Sequence, residues 1–220
     1  MQTLTQEIIN HGMTNRVLTE RQLARLLDGS SQRRHHLVNR AMKAGELIRL
    51  QRGRYLLANS LRQYAPHPFA LAQAFVPGSY VSFETALAHH GWIPEAVRVV
   101  ASVTWGSKSS AYQHTSFGDF SFHPLAIAPG YFLELVARQQ HQQQTMLIAK
   151  PVRALMDLVC LRKVEWQGIG WLTESLRIDI DLLRSVNDAD LRTLEMIYTQ
   201  KRVKRFLKLL AKAIKEDERQ

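Results

Sequence analysis

Residues 30–57, SSQRRHHLVNRAMKAGELIRLQRGRYLL, constrain the fold most, because the spacing of their apolar residues changes at one glycine. Before Gly45 the apolar residues recur at helical spacing, and after it two short apolar runs flank Gly53. This pattern predicts a helix from about Gln32 to Ala44, followed by a β-hairpin with Gly53 in its turn. The helix has a single apolar side, formed by Leu37, Val38, Ala41 and Ala44, which other helices must cover.

Two helices are predicted upstream of this segment. Thr3-x-x-Gln6 and Thr19-x-x-Gln22 both fit the capping box that opens a helix, and Gly12 ends the first one. The sequence DGSS at 28–31 then predicts a tight turn, with Gly29 ending one helix and Ser30 or Ser31 capping the next. Two helices joined by such a turn and followed by a hairpin predict a winged helix-turn-helix over residues 1–59.

The outer face of the third predicted helix is polar and basic, with no acidic residue. It consists of Gln32, Arg33, His36, Asn39, Arg40 and Lys43. Gln, Asn and Arg pair with base edges in the major groove, so this face is the predicted reader of DNA. The predicted wing adds Arg49, Arg52 and Arg54, which suit the DNA backbone or the narrow minor groove. The alternative interpretations are a protein-docking module or merely solvated arginines.

The charge of the chain is concentrated at its two ends. Residues 1–64 hold 11 Lys and Arg against 4 Asp and Glu, and residues 201–220 hold 8 against 3, whereas residues 65–200 hold 10 against 12. The formal net charge is +10. Basic ends on a slightly acidic middle favour a polyanionic partner, of which nucleic acid is the most common.

Residues 60–67 interrupt both periodicities and are predicted to be a linker, and residues 68–220 form the predicted second domain. This domain mixes strands, a hairpin around Gly118-Asp119 and a helix that begins at Pro151, and it ends in helices. In the helix after Pro151, the inward residues are predicted to be Val152, Leu155, Met156, Val159 and Cys160. The predicted fold class is therefore α+β, with an N-terminal winged helix-turn-helix and a C-terminal mixed α/β domain.

The tail KRVKRFLKLLAKAIK, residues 201–215, is amphipathic. Its predicted apolar side is formed by Val203, Phe206, Leu207, Leu210 and Ile214. Its basic side is formed by Lys201, Lys204, Lys208, Lys212 and Lys215. We expect the lysines to contact DNA phosphates or an acidic partner, or to remain solvated. The tail could also fold back on the slightly acidic middle of the chain.

Four motifs in order resemble the AbiEi-type antitoxins of type IV toxin–antitoxin systems, which act in abortive infection and phage defence. They are AGELIRLQRGRYLL, PGSYVSFETALAHHGWIPE, VASVTW and IAKPVRALMDLVCL. The resemblance implies a transcriptional autorepressor that binds inverted repeats in its own promoter and neutralises a cognate nucleotidyltransferase-like toxin. We expect a monomer in solution or a weak dimer on DNA, without catalytic activity, cofactor or metal.

Other residues invite different interpretations. Asp179 and Asp181 follow GIGWLTESLRI in a pattern by which nucleotidyltransferases hold Mg²⁺, which gives a nucleic-acid-processing enzyme as an alternative function. A winged-helix scaffold that binds only protein is another. The pairs His35-His36 and His89-His90, with His123, His141 and Cys160, lack metal-site spacing and are interpreted as structural or surface residues.

The sequence has no apolar run of the roughly 20 residues that a membrane span needs, and its polar N-terminus does not resemble a signal peptide. Its single cysteine fits a reducing compartment. We therefore expect a cytoplasmic protein.

Overall fold

The computed structural model describes residues 1–217 of an α+β chain that divides into two compact units. The first comprises residues 1–77 and 140–145, and the second comprises the remainder. The division falls ten residues after the predicted boundary at 67/68. The helix Pro68–Phe75 thus belongs to the first unit, where Gln51 Nε2 donates a hydrogen bond to the carbonyl of Phe75 at 3.2 Å.

The first unit combines helices with a small antiparallel sheet. Its elements are α1 (Thr3–Asn10), β1 (Leu18–Thr19), α2 (Glu20–Leu26), α3 (Ser31–Lys43), β2 (Leu47–Gln51), β3 (Arg54–Leu57), a 3-10 turn (Asn59–Leu61) and α4 (Pro68–Phe75). The sheet order is β1-β3-β2. The predicted third helix and the hairpin around Gly53 are therefore present, whereas β1 was not predicted.

Helix ends confirm two of the three predicted caps. Thr19 and Gln22 form the reciprocal capping box of α2, and the Ser30 hydroxyl accepts a hydrogen bond from the backbone N–H of Arg33 at the start of α3. The predicted capping box at Thr3 is wrong, because Gln2 is the N-cap residue of α1. The backbone N–H of Gln2 instead donates to the Glu46 carboxylate at 2.8 Å, a contact that no local pattern reveals.

The residues between the helices and the sheet form the core of the first unit. They are Leu4, Ile8, Leu18, Leu23, Leu27, Leu37, Val38, Ala41, Leu47, Tyr55 and Leu57. The predicted inward position of Ala44 is wrong. Because α3 ends at Lys43 and the chain turns at Gly45, which has a φ of +69°, Ala44 is exposed.

The predicted linker, residues 60–67, is held by side chains of the first unit. Gln144 Oε1 accepts a hydrogen bond from the backbone N–H of His67 at 2.7 Å, and its Nε2 donates to the carbonyl of Ala65 at 3.2 Å. The Asn15 side chain likewise binds Gln63. This segment begins in the 3-10 turn, is otherwise irregular, and is anchored at Gln63, Ala65 and His67.

From Gly78 onward, the chain builds a mixed sheet with helices. Its elements are β4 (Tyr80–Val81), α5 (Phe83–His89), β5 (Val99–Thr104), β6 (Ser110–His114), β7 (Gly118–Pro124), β8 (Val136–His141), β9 (Gln144–Ala149), α6 (Pro151–Arg162), a π-helical turn (Trp171–Ser175), α7 (Ile180–Arg184), α8 (Asp188–Ile197) and α9 (Lys201–Asp217). The strand order is β6-β7-β5-β4-β9-β8.

Sequence prediction located most of these elements but not their pairing. The predicted hairpin exists as β6–β7, but Gly118 begins β7 instead of forming the turn, because His114 pairs with Gly118. Helix α6 begins at Pro151, and its five predicted inward residues are buried. Parallel pairing of β5 with β7 and of β4 with β9 connects segments distant in sequence, which local patterns do not specify.

Two charged residues of α6, Arg153 and Asp157, are also fully buried. The guanidinium of Arg153 binds Asp157, the Tyr80 hydroxyl at 2.7 Å and the backbone carbonyl of Glu134 at 3.0 Å. The Asp157 carboxylate accepts hydrogen bonds from Ser82 at 2.7 Å and Tyr198 at 2.7 Å. This network connects β4, α6 and the residue that follows α8, and every charge in it is compensated.

Candidate nucleic-acid interface

Helix α3 presents its predicted outer face to solvent. Gln32, Arg33, His36, Arg40 and Lys43 are exposed, and Asn39 is half-buried. The opposite side carries Leu37, Val38 and Ala41 into the core. The spacing of the apolar residues therefore determines that the polar face points to solvent. The helix contains no Asp or Glu.

Arg33 differs from the other residues of this face, because its guanidinium turns back toward the start of the helix. Its Nη1 donates a hydrogen bond to the carbonyl of Asp28 at 2.7 Å, and the neighbouring Arg34 donates to the carbonyl of Gly29 at 2.6 Å. Both arginines thus stabilise the turn between α2 and α3. In residues 1–217, neither Arg40 nor Lys43 forms an ion pair or a side-chain hydrogen bond.

The hairpin β2–β3 carries the three predicted arginines. Arg49 and Arg52 are exposed and Arg54 is half-buried. Gln51 pairs with Arg54, which leaves Arg52 and Gly53 as the turn, and the pairing shifts between Arg49 and Gln51. Within the described part of the chain, these three guanidinium groups have no acidic partner.

Contacts with β1 and α2 hold the turn of this hairpin in place. Strand β1 pairs with β3, and the backbone N–H of Glu20 donates to the carbonyl of Gly53 at 3.1 Å. Gly53 has a φ of +73°, and a Cβ at this position would lie 3.4 Å from the Glu20 carboxyl carbon. Glycine is thus favoured by the backbone conformation, whereas the distance to Glu20 would be an ordinary van der Waals contact.

Sequence reasoning missed a small depression of about 160 Å³ between α2, α3 and β3. Glu20, Ser31, Arg34, His35 and Tyr55 line it together with Leu23 and Val38. Burial raises the pKa of Tyr55, and the nearby Glu20 carboxylate acts in the same direction. Arg34 and His35 lie in the basic run that the sequence displays, but only the fold brings Glu20 beside them.

The predicted basic tail is α9. Its apolar side is buried as predicted, at Val203, Phe206, Leu207, Leu210 and Ile214. The five predicted lysines are exposed. Sequence reasoning did not identify Arg202, whose Nη1 donates to the carbonyls of Val159 and Val164 at 3.0 and 2.8 Å and thereby joins α9 to the end of α6.

Four of the five tail lysines fall into two groups by their partners. Lys212 lies 3.4 Å from Glu216, and Lys215 lies 3.1 Å from Asp188. Lys204 and Lys208 instead line a shallow groove between α8 and α9 with Arg192 and the half-exposed Met196. Glu195 also lines this groove. In the part of the chain that the structure describes, Lys204 and Lys208 form no ion pair, so the groove carries three cations against one carboxylate.

The two aspartates considered as metal ligands have local partners. Asp179 caps α7 by accepting a hydrogen bond from the backbone N–H of Asp181 at 2.9 Å, and Asp181 pairs with Arg184 at 2.8 Å. Residues 1–217 contain no cluster of three or more His, Cys, Asp or Glu arranged to hold a metal ion. Cys160 is buried, and burial raises the pKa of its thiol to about 11.

Comparison of the chain with protein-family models and with curated proteins finds no match. Over the same described range, no helix combines the length and apolar character that crossing a membrane requires.

Proposed function

We propose that the first unit is a winged helix-turn-helix that binds double-stranded DNA. Helix α3 would enter the major groove, and the hairpin β2–β3 would be the wing. The order of α1, α2, α3, β2 and β3, with β1 completing a three-stranded sheet, supports this assignment. Docking of one exposed helix beside a basic hairpin is a common arrangement for reading DNA.

One observation carries the proposal: four cations of α3 and of the hairpin form no ion pair within the described residues. These cations are all exposed, and they are Arg40, Lys43, Arg49 and Arg52. Phosphate contacts by such cations release counterions from DNA, which makes binding favourable and dependent on salt. Gln32 and Asn39 supply amides for adenine edges, and Arg40 supplies a guanidinium for guanine. The Arg33 guanidinium is already hydrogen-bonded to the turn before α3. It would therefore contribute to DNA binding through its position and its positive charge.

We further propose that the protein is a repressor of its own gene and an antitoxin of a nucleotidyltransferase-like toxin. The motifs that resemble AbiEi-type antitoxins, taken in their order, support this part. Their residues lie in both units: one motif closes the hairpin β2–β3, and another forms β9 and α6. The account requires no catalysis, metal or cofactor.

Selection from random DNA tests the DNA-binding part. The full chain would be incubated with a pool of duplexes with a randomised 30-base-pair centre, and the bound fraction would be sequenced after several rounds. We expect enrichment of one sequence, arranged as inverted repeats. A folded protein that enriches no sequence would contradict sequence-specific binding.

Co-expression tests the antitoxin part separately. Each gene encoded beside this one would be induced in a bacterial host, with and without this chain. We expect one neighbour, a nucleotidyltransferase-like protein, to stop growth, and this chain to restore it. If this chain restores growth against none of the neighbouring genes, the antitoxin assignment is contradicted. The proposed DNA binding is not affected by that result.

A further inference from the structure

A cavity of about 620 Å³ lies in the second unit, apart from the surfaces described above. This volume falls within the roughly 300–1,000 Å³ of pockets that hold small molecules. Strands β5 and β7, helices α5 and α6, the loop after α5 and the end of the π-helical turn line it. Much of its wall is apolar, with Phe83, Ile93, Val97, Val99, Leu158 and Leu176 among its residues.

One wall of the cavity is rigidly built. Phe83 is fully buried yet has a φ of +56°, a conformation that bulky residues rarely adopt. The preceding Ser82 is tied to Asp157 by its hydroxyl at 2.7 Å. The Thr85 hydroxyl donates to the carbonyl of Val99 at 2.9 Å and accepts from the backbone N–H of Ala101 at 3.0 Å. A strained residue held by such contacts is typical of a preformed site.

The carboxylates that line the cavity are already paired. Glu84 forms an ion pair with Arg162, and Glu95 forms one with Arg177. The two arginine side chains are 52% and 59% exposed, so these pairs lie on the solvent side, whereas Phe83 and Leu158 are fully buried. A charged ligand would have to compete with these pairs, whereas an uncharged ligand would leave them intact.

Two polar side chains of β7 in the wall have no hydrogen-bond partner within the described residues. Ser121 and His123 occupy alternate positions of β7 and therefore share a face of the sheet. Within residues 1–217, neither side chain makes a hydrogen bond. The His123 ring packs against Phe83, at 5.7 Å between centroids, and the negative charge of Glu84 acts on it. Burial lowers the pKa of His123, so its neutral ring offers one donor and one acceptor.

We propose that this cavity binds an uncharged, largely apolar small molecule whose polar oxygen or nitrogen is held by His123 and Ser121. The apolar wall supplies the contact area, and the two side chains on β7 supply orientation. The inference does not depend on the proposed DNA binding or antitoxin activity.

A matched pair of probes tests the polar part of the site. Indane and 1-indanone differ by one carbonyl oxygen, and their affinities for the full chain would be measured by ligand-observed NMR titration. We expect saturable binding of both at one site, with 1-indanone about threefold to tenfold tighter, as one neutral hydrogen bond provides. In His123→Phe, which keeps an aromatic ring but leaves only Ser121 to hold the carbonyl, this preference should decrease.

A matched pair of variants tests the location. Val97 lines the cavity and is 37% exposed, whereas Leu133 is 50% exposed, belongs to the same unit and does not line it. Val97→Asp should weaken both probes at least roughly tenfold, because it places an unpaired charge in an apolar wall. Leu133→Asp should leave both affinities unchanged. The proposal is overturned by absence of saturable binding, by equal losses in the two Asp variants, or by an unchanged carbonyl preference in His123→Phe.

Discussion

Arg153 Nε lies 3.0 Å from Asp157 Oδ1 one helical turn away, and neither side chain has any solvent exposure. Around this pair, Tyr80 and Tyr198 place their rings 5.4 Å from the guanidinium carbon and direct their hydroxyls to the carboxylate. A buried cation and anion must be completely paired, since water cannot replace a missing partner. The pair therefore fixes how α6 packs against β4 and the end of α8.

Asp157→Ala should lower the free energy of unfolding by about 3–5 kcal/mol, because it leaves the Arg153 guanidinium buried without its counter-charge. Tyr198→Phe removes one hydroxyl that donates to the buried Asp157 carboxylate and should cost about 1.5–3 kcal/mol. Urea denaturation of the two variants and the wild type measures both values. Similar, small losses in both variants would show that Arg153 finds another partner.

Alkaline pH should destabilise the protein. Burial, followed by the charge of Asp157, raises the pKa of Tyr80 and Tyr198 above their ordinary 10.0. The unfolded chain therefore loses these protons first, so their contribution is complete below about pH 10 and declines above it by about 1.4 kcal/mol per pH unit for each tyrosine. The Cys160 thiol, with its pKa raised from 9.0 to about 11, adds a loss that begins near pH 9.

Denaturation between pH 8 and pH 11 checks this prediction. Tyr198→Phe should reduce the slope above pH 10, whereas Cys160→Ala should reduce it between pH 9 and pH 11. A slope above pH 10 that is identical in wild type and Tyr198→Phe would contradict the raised pKa of Tyr198.

Local signals predicted the elements of the first unit well. Thr19 with Gln22, Ser30 and Gly53 each act within a few residues, so the sequence displays their roles directly. Thr3 was predicted incorrectly as the N-cap of α1; the N-cap is Gln2, whose backbone N–H is bound by Glu46, 44 residues away. The two-residue strand β1 leaves no periodic pattern, and its pairing with β3 is equally non-local.

The sequence predicted which residues are on the candidate interface. It did not predict which of them already have partners in the protein. Spacing placed the basic residues of α3 on one face, and the fold agrees. It did not reveal that Arg33 binds the carbonyl of Asp28, or that Lys212 and Lys215 have acidic partners. The sequence also did not predict the burial of Arg153 and Asp157 in α6, because hydropathy assigns charged residues to the surface.

The hairpin arginines should act on all DNA sequences alike. Arg52→Ala and Arg54→Ala should weaken binding to specific and random duplexes, and each lost phosphate contact should reduce the salt slope of log K by about one unit. Fluorescence anisotropy over a series of salt concentrations measures this slope. Arg138 is an exposed arginine of the second unit. Arg138→Ala is therefore the control, and it should change neither the affinity nor the salt slope. An unchanged slope in both hairpin variants would remove the hairpin from the interface.

The tail should show a difference between its two groups of lysines. Reversal of charge at Lys204 and Lys208 should impair toxin neutralisation or operator repression, most strongly at low salt, because these lysines form no ion pair among the described residues and lie in a groove with excess positive charge. The same reversal at Lys212 and Lys215, which already have acidic neighbours, should have the smaller effect. All four positions are exposed, so each double variant should remain folded.

Growth rescue in cells and DNA binding in vitro would be measured for both double variants. Normal behaviour of Lys204→Glu/Lys208→Glu in both assays, with unchanged thermal stability, would show that the groove is only solvated.

The central claim is that α3 reads base sequence, and one comparison tests it most directly. Affinities of the full chain, Asn39→Ala and Arg40→Ala would be measured by anisotropy for the DNA immediately upstream of the gene and for a shuffled duplex of equal length. We predict that each substitution weakens binding to the upstream DNA by about 1–3 kcal/mol and affects the shuffled duplex much less. Equal losses on the two duplexes, or no preference of the wild type for the upstream DNA, would contradict the claim.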